Sequence, residues 1–363
     1  PHHPGPRYCF YQRNWRERVP LINPDSWTLL QSSLVFSLCA LVIAIAGTRI
    51  TRVVDQLADR TGLGEATAGA VLLGAATSLA GSVLSVTAAY RGHAELAVSN
   101  ALGGIAVQTF FLAIADMVYR RANLEHAAAS APNMMQNGLL IALLSLILLA
   151  PNVPDVTFWH IHPVTPILLG FYLYGTQLIQ GAWESPMWRP SRTRDTREDK
   201  PEAMSRLPPL ARLWTEFVVL MAVLGLAGLV LEPAATTISA RAGLSQTVVG
   251  VLLTAVSTSI PELVTSVAAV RRGALTLAVG GIIGGNAFDT LFMAASDIAY
   301  RNGSIYHTMS ADTERWVALT LLMAAILIMG LIRRERYGVG KIGAESLAIM
   351  VLYGLGVALM FVG

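Results

Sequence analysis

Apolar runs of about 20 residues recur along almost the whole 363-residue chain, separated by short charged or proline-rich segments. Each can cross a hydrocarbon core about 30 Å thick as a helix rising about 1.5 Å per residue. The pattern predicts ten spans: 27–48, 66–90, 94–119, 137–150, 163–181, 213–231, 246–270, 274–299, 316–332 and 343–362. The fourth is the shortest and ends at Pro151, so its helix is expected to begin upstream, near Pro132. A transmembrane barrel would show alternating segments of about ten residues, and these runs do not alternate. The fold class expected is therefore an all-α polytopic membrane protein with ten transmembrane helices.

Composition agrees with the pattern. Hydrophobic residues make up 54% of the chain and charged residues only 13%, with a mean hydropathy of +0.54. A soluble domain carries about a quarter charged residues, so a soluble globule is excluded. The net charge of +3 reflects loop arginines and gives no reason to expect a nucleic-acid partner. Under the ten-span reading, 18 of the 26 Lys and Arg residues fall on one side and 8 on the other. The positive-inside rule then puts both termini outside, with the segment between spans 5 and 6 in the cytoplasm and the protein in the plasma membrane. That segment, 182–212, holds seven basic and five acidic residues and five prolines, and reads as a solvated linker. Trp183, Trp188 and Trp214 flank it as interfacial anchors. Residues 1–26 contain no apolar stretch resembling a signal-peptide core and read as an external tail. Cys9 and Cys39 supply no disulfide framework.

An internal repeat sets the architecture. Shifted by 181 residues, Gly62 to Arg120 align without a gap on Gly243 to Arg301, with 24 of 59 positions identical. The identities include Thr77-Ser78 with Thr258-Ser259, Arg91-Gly92 with Arg272-Gly273, Gly103-Gly104 with Gly284-Gly285, and Asp116 with Asp297. Each copy covers a helix pair, and the two copies start an odd number of spans apart. The second copy is therefore expected upside down relative to the first, the inverted plan of secondary transporters. The domain organisation that follows is a first five-helix half at 27–181 and a second at 213–363, joined by the linker.

Burying an ionised carboxylate costs several kcal/mol, so acids deep in a span are functional candidates. Two qualify: Glu262 in the seventh span and Asp289 in the eighth, both near the expected midplane. Glu262 follows Pro261, which removes an amide donor and clashes with the preceding turn, so the helix is expected to break near Thr258 and free the carbonyls of 256–258. Thr258 and Ser259 add hydroxyl oxygens. Asn286 and Asp289, three residues apart, share one helical face, and the nearby glycines allow close helix approach. Carboxylates, an amide and hydroxyls without sulfur or imidazole are the donor set of a hard cation of the calcium type. Interhelical hydrogen bonding is the other reading for Asn286 and the Thr-Ser pairs.

These motifs resemble a family. Thr-Ser-Ile-Pro-Glu-Leu-Val-Thr-Ser at 258–266, followed by Gly-Gly-Asn-Ala-Phe-Asp at 284–289, is similar to the α-repeat of the sodium/calcium exchanger (Ca²⁺/cation antiporter) superfamily. The resemblance implies ten spans in two inverted halves, external termini and a cytoplasmic connection between spans 5 and 6. It also implies Glu262 and Asp289 as central ion ligands, with Thr258, Ser259 and Asn286 around them. The first repeat departs from the family pattern. Ala80-Gly81 stands where the family has Pro-Glu, and Gln108 where it has Asn, so half of the acidic pair is missing. Thr77, Ser78 and Gln108 remain there as neutral oxygen donors. The activity implied is secondary antiport of Ca²⁺ against Na⁺ or H⁺, with no cofactor and no enzymatic chemistry. A non-transporting or ion-sensing relative, or a proton-coupled exchanger of another cation, are the alternatives.

The remaining polar groups suggest local roles. Asp116 and Asp297 each precede an arginine by four residues, Arg120 and Arg301, and are expected to form interfacial i,i+4 pairs. Glu216, Glu232 and Glu345 lie near span ends. His93, His160, His162 and His307 lack metal-ligand spacing. No nucleophile-base triad, phosphate-binding loop or dinucleotide motif is present.

Overall fold

The computed structural model describes residues 26–61, 70–119, 122–185, 187–189, 191, 208–338 and 342–362. The readings made for residues 1–25, for most of the linker and for Arg120 lie outside these. Among the described residues the chain is all-helical: α1 (Leu29–Thr61), α2 (Ala70–Thr77), α3 (Leu79–Tyr90), α4 (Ala94–Val118), α5 (Leu124–Ala127), α6 (Ala131–Leu149) and α7 (Val164–Glu184). The second part comprises α8 (Leu210–Ala242), α9 (Gln246–Arg272), α10 (Leu275–Asp289), α11 (Leu291–Ala299), α12 (Ala311–Arg333) and α13 (Ala344–Leu359). Among the described residues seven helical segments are long and apolar enough to cross a membrane: α1, α4, α6, α8, α9, the α10–α11 pair and α12. The shorter apolar helices are α3 and α13.

Local sequence explains the limits. Helix α6 starts where Ser130 accepts from the Asn133 N–H at 3.2 Å, with Pro132 in the first turn, and this adds a turn and a half ahead of the apolar run. The identical Arg-Gly pairs end α3 and α9. Gly92 and Gly273 take φ of 86° and 89°, a left-handed turn that a side chain would strain.

The surface is apolar along helical stripes. Leu30, Leu34, Leu38, Leu41 and Ile45 are exposed along one face of α1. A stripe at this spacing facing outwards, with polar residues inside, is the reverse of a soluble helix. Helices α1 and α8 pack along each other, joined by an ion pair between Arg49 and Glu216. The interior is formed by α3, α4, α9, α10 and α11, and α4 is buried over nearly its whole length.

One expectation about polar residues is corrected, and its counterpart, the pairing of Asp116 with Arg120, lies outside the described residues. Asp297 does not pair with Arg301, which is exposed. It is fully buried and accepts from the Ile305 N–H at 3.2 Å, the His162 N–H at 2.8 Å and the Thr165 hydroxyl at 2.7 Å. Asp116 is likewise fully buried, accepting from the Leu124 N–H at 2.6 Å and the Gly343 N–H at 2.9 Å. Several orphan amides of the connections near the helix ends are thereby satisfied, a use for a buried carboxylate that i,i+4 spacing does not reveal. The backbone donors of one set lie 181 residues from those of the other, Leu124 with Ile305 and Gly343 with His162, and Thr165 is related in the same way to Ser346, whose hydroxyl donates to Glu125. The same offset relates His126, whose Nδ1 lies 2.7 Å from the Arg334 carbonyl, to His307, whose Nε2 lies 2.9 Å from the Val153 carbonyl. Glu232 lies inside α8. It is fully buried and paired with Arg91, and with His93 Nδ1 at 2.8 Å.

Candidate functional site

The interior site is assembled where α9 crosses α4. The expected break at Thr258 is not present: α9 stays helical through Pro261, and its irregular turn lies earlier, as a π-helical segment at Val249–Thr254. Pro261 still deprives the Ser257 carbonyl of its α-helical donor. The ring is accommodated because α1 presents Gly47 to it, where any Cβ would overlap the proline. The π segment in turn lies directly on α4. A Cβ on Gly103 would sit 2.8 Å from Val251 Cα, and one on Gly250 would sit 2.5 Å from Ser99 Cβ. Glycine at both positions permits this approach and sets Thr258 and Ser259 over the middle of α4.

On either side of this crossing the helices are interrupted. Helix α2 ends at Thr77 and α3 starts after Ser78. Helix α10 ends at Asp289 and α11 starts after Thr290. The interruptions thus fall at candidate residues, although at different positions from the one the proline suggested.

All eight sequence candidates, Thr77, Ser78, Gln108, Thr258, Ser259, Glu262, Asn286 and Asp289, are buried, none more than 7% exposed. Gln108 and Asp289, which are 181 residues apart in the repeat, meet directly: Gln108 Nε2 donates to Asp289 Oδ2 at 2.6 Å and to Ser259 Oγ at 3.3 Å. The Ser78 hydroxyl faces the Asp289 carboxylate and the Thr77 hydroxyl faces Glu262. The two carboxylates are within electrostatic reach of each other. Asn286 donates to Thr109 Oγ1 at 3.0 Å. Thr258 is turned to its own helix, donating to the Thr254 carbonyl at 2.9 Å.

Acceptors outnumber donors here. Among the described residues, both carboxylate oxygens of Glu262, Asp289 Oδ1, Asn286 Oδ1, Gln108 Oε1 and Ser78 Oγ lack a well-formed hydrogen bond. A buried oxygen without a donor is costly, and a buried carboxylate more so, unless a positive charge supplies the missing interaction. Carboxylate, amide and hydroxyl oxygens at this number are the inventory of a hard cation, which takes about six to eight. Among the described residues no group of three His, Cys, Asp or Glu side chains is placed to hold a metal ion, so neutral oxygens must complete any shell at the two midplane carboxylates.

The missing acid of the first repeat has a structural counterpart. A Cβ on Gly81 would lie 3.2 Å from Phe292 Cε2 and 3.5 Å from Thr258 Oγ1. Phe292 therefore fills space that a glutamate at 81 would need. Sequence reasoning also missed three amides of α6. Asn133, Gln136 and Asn137 each hold a buried carbonyl oxygen without a donor among the described residues. Asn133 Nδ2 donates to the Thr276 carbonyl of α10 at 3.3 Å, and Gln136 faces Gly284. The signal was three amides within five residues of an apolar run.

Comparison with known proteins follows from this geometry. The sequence profile of a family described as sodium/calcium exchanger protein matches residues 32–177 and 213–362. CaxA of Alkalimonas amylolytica, a candidate antiporter, is 26% identical over 309 residues, covering 83% of this chain and 91% of CaxA. The inner membrane protein YrbG of Escherichia coli K12 is 24% identical over 271 residues, covering 70% and 75% of the two chains. Among solved structures, the H⁺/Ca²⁺ exchanger CAX superposes with a TM-score of 0.66 at 13% identity, covering 97% of this chain and 89% of CAX. The sodium-calcium exchanger NCX_Mj gives 0.56 at 15% identity, covering 91% and 99%. These superpositions show a shared fold.

Proposed function

The chain belongs to the sodium/calcium exchanger protein family, an integral membrane transporter family of cation antiporters, and from that premise we propose that it exchanges Ca²⁺ for Na⁺ or H⁺ at one midplane site. In this reading ten transmembrane helices form two inverted five-helix halves. The site lies between α2–α4 of one half and α9–α11 of the other, and opens alternately to each side. Glu262 and Asp289 supply the charge, while Ser78, Ser259, Asn286, Gln108 and Thr77 supply neutral oxygens. Thr258 contributes by positioning, since its hydroxyl is engaged with its own helix. Both termini are placed outside, with the connection at 182–212 in the cytoplasm of a plasma membrane.

The observation that carries the proposal is the surplus of buried acceptor oxygens around two carboxylates. In the described state Gln108 Nε2 satisfies one oxygen of Asp289 by a hydrogen bond. Cation binding then exchanges that donor for an ion, and a turn of the amide would offer Oε1 instead. The loss of the second glutamate at Gly81 favours a second reading, static ion binding without transport. Uptake of ⁴⁵Ca²⁺ into proteoliposomes under an imposed Na⁺ gradient, and separately under a pH gradient, distinguishes these. Uptake driven by one gradient identifies the coupling ion, whereas saturable binding with no uptake under either contradicts antiport.

A further inference from the structure

The duplicated clasp at the helix ends is not chemically equivalent in its two copies. At the second, Asp297 is the single acid, and its donors and neighbours are neutral: Ile305 N–H, His162 N–H and Thr165, whose hydroxyl also lies 2.9 Å from Tyr306 Oη. At the first, Asp116 holds the same place, but Glu125 stands at the position of Tyr306 and Glu345 at that of Val164. One acid suffices to tie the backbone together, as the second copy demonstrates. The first copy carries two more than the fold requires.

These acids converge. Measured from the point where a Cβ on Gly343 would lie, Glu125 Oε2 is 3.0 Å away, Asp116 Oδ2 3.4 Å and Glu345 Oε2 3.5 Å. Glu125 is 3% exposed. Its Oε1 accepts from the Ser346 hydroxyl at 2.8 Å, while Oε2, aimed into the gap, has no partner among the described residues. Asp116 already accepts two backbone amides. The described basic groups on the packed elements are otherwise occupied. Arg333 of α12 reaches Glu345 Oε1 only at 4.0 Å and also pairs with Glu335. Arg334 donates to the His126 and Ser191 carbonyls, and Arg336 lies over the Tyr337 ring. His126 Nδ1 is at the Arg334 carbonyl. Arg120, Arg121 and Lys341 are outside the described residues.

We propose that this cluster is a proton-binding site, in which Glu125 takes a proton from water onto Oε2, facing Asp116 and Glu345, and thereby fastens α5 to the start of α13. Burial, and then the charge of Asp116, push the Glu125 carboxyl up to about 8. The folded state therefore holds a proton that the unfolded chain releases near 4.5, so stability falls as pH rises through that window and is least above about 8. Loss of the proton sets a second buried charge beside Asp116 and loosens the junction between α5 and α13. The proposal does not depend on which cation the midplane site carries.

Infrared difference spectra of the full-length protein in lipid, recorded as pH is raised from about 6 to about 10, test it without any transport readout. A Glu262→Gln/Asp289→Asn background removes the midplane carboxyls from the signal. The expected result is loss of a protonated-carboxyl carbonyl band near pH 8. That band is absent from both Glu125→Gln and Glu125→Tyr, the latter reproducing the residue of the second clasp. The same variants should lose the decline in thermal stability between about pH 4.5 and 8. A band that persists in Glu125→Gln, or no titrating band in the parent because all three acids are ionised throughout, overturns the proposal. A band removed at constant pH by added Ca²⁺ also overturns it, in favour of a metal. Should Glu125→Tyr fail to fold, the near-isosteric Glu125→Gln carries the test alone.

Discussion

Gly81 is the position at which the first half lacks the acid of the second, and the structure specifies what putting it back entails. A Cβ there lies 3.2 Å from Phe292 Cε2, closer than the optimal separation of about 3.5 to 4.0 Å. The rest of a glutamate must enter the space of the ring. Overpacking of this kind costs about 1–3 kcal/mol, and an unpaired buried carboxylate costs several more. Against a total stability of about 5–15 kcal/mol, Gly81→Glu alone is expected to be strongly destabilised. Phe292→Ala alone should lose about 3–5 kcal/mol through the cavity it leaves. In the double variant the carboxylate occupies the vacated volume, and its cost should fall short of the sum by about 1–3 kcal/mol. Added negative charge beside Glu262 should also tighten Ca²⁺ binding, and Ca²⁺ at about 100 times its dissociation constant should return about 2.7 kcal/mol. Thermal unfolding in detergent, with and without Ca²⁺, reads all four proteins. If Gly81→Glu unfolds like the parent, Phe292 does not fill that space and the reasoning is refuted; additive costs in the double variant would refute the coupling.

Three other outcomes follow. Arg91→Ala leaves the fully buried Glu232 with His93 as its remaining partner and should cost about 1.5–3 kcal/mol in thermal unfolding, whereas Arg91→Ala/Glu232→Gln should recover most of that loss; a double variant no more stable than Arg91→Ala would contradict the pairing. Asp297→Ala removes the acceptor of two amides and a hydroxyl and should cost about 3 kcal/mol or more while leaving Ca²⁺ affinity unchanged by calorimetry; altered affinity at unchanged stability would point to an ion-ligand role instead. With Glu262 and Asp289 the two midplane carboxylates among the described residues, one divalent cation is balanced by two monovalent ions, so exchange should be nearly electroneutral. A strong dependence of the initial rate on imposed voltage in solid-supported-membrane recordings would contradict this.

The helical class and most helix positions were legible because a bilayer demands long apolar runs, and α4 and α9 lie within two residues of the runs that foretold them. Helices α1 and α8 extend beyond their runs through Arg49 and Glu232, whose partners come from other helices and are invisible in a window of sequence. The repeat was legible in its identities, but the matching contacts of His126 and His307 fall outside the aligned 59 residues and needed coordinates. Glu262 and Asp289 stood out because ionisable groups inside a span are rare. The position of the helix distortion did not, since Pro261 is accommodated by Gly47 of α1 and the irregular turn falls earlier in α9, as a π-helical segment. Asp297 was misread because i,i+4 spacing is local, whereas its donors come from residues 8 to 135 positions away.

The central claim is that Glu262 and Asp289 hold the transported cation, and it is tested most directly by ⁴⁵Ca²⁺ uptake into proteoliposomes containing the parent, Glu262→Gln or Asp289→Asn, at matched insertion and thermal stability. Gradient-driven uptake by the parent, with none by either variant, is the predicted result. Uptake by both variants at the parent's rate would contradict it.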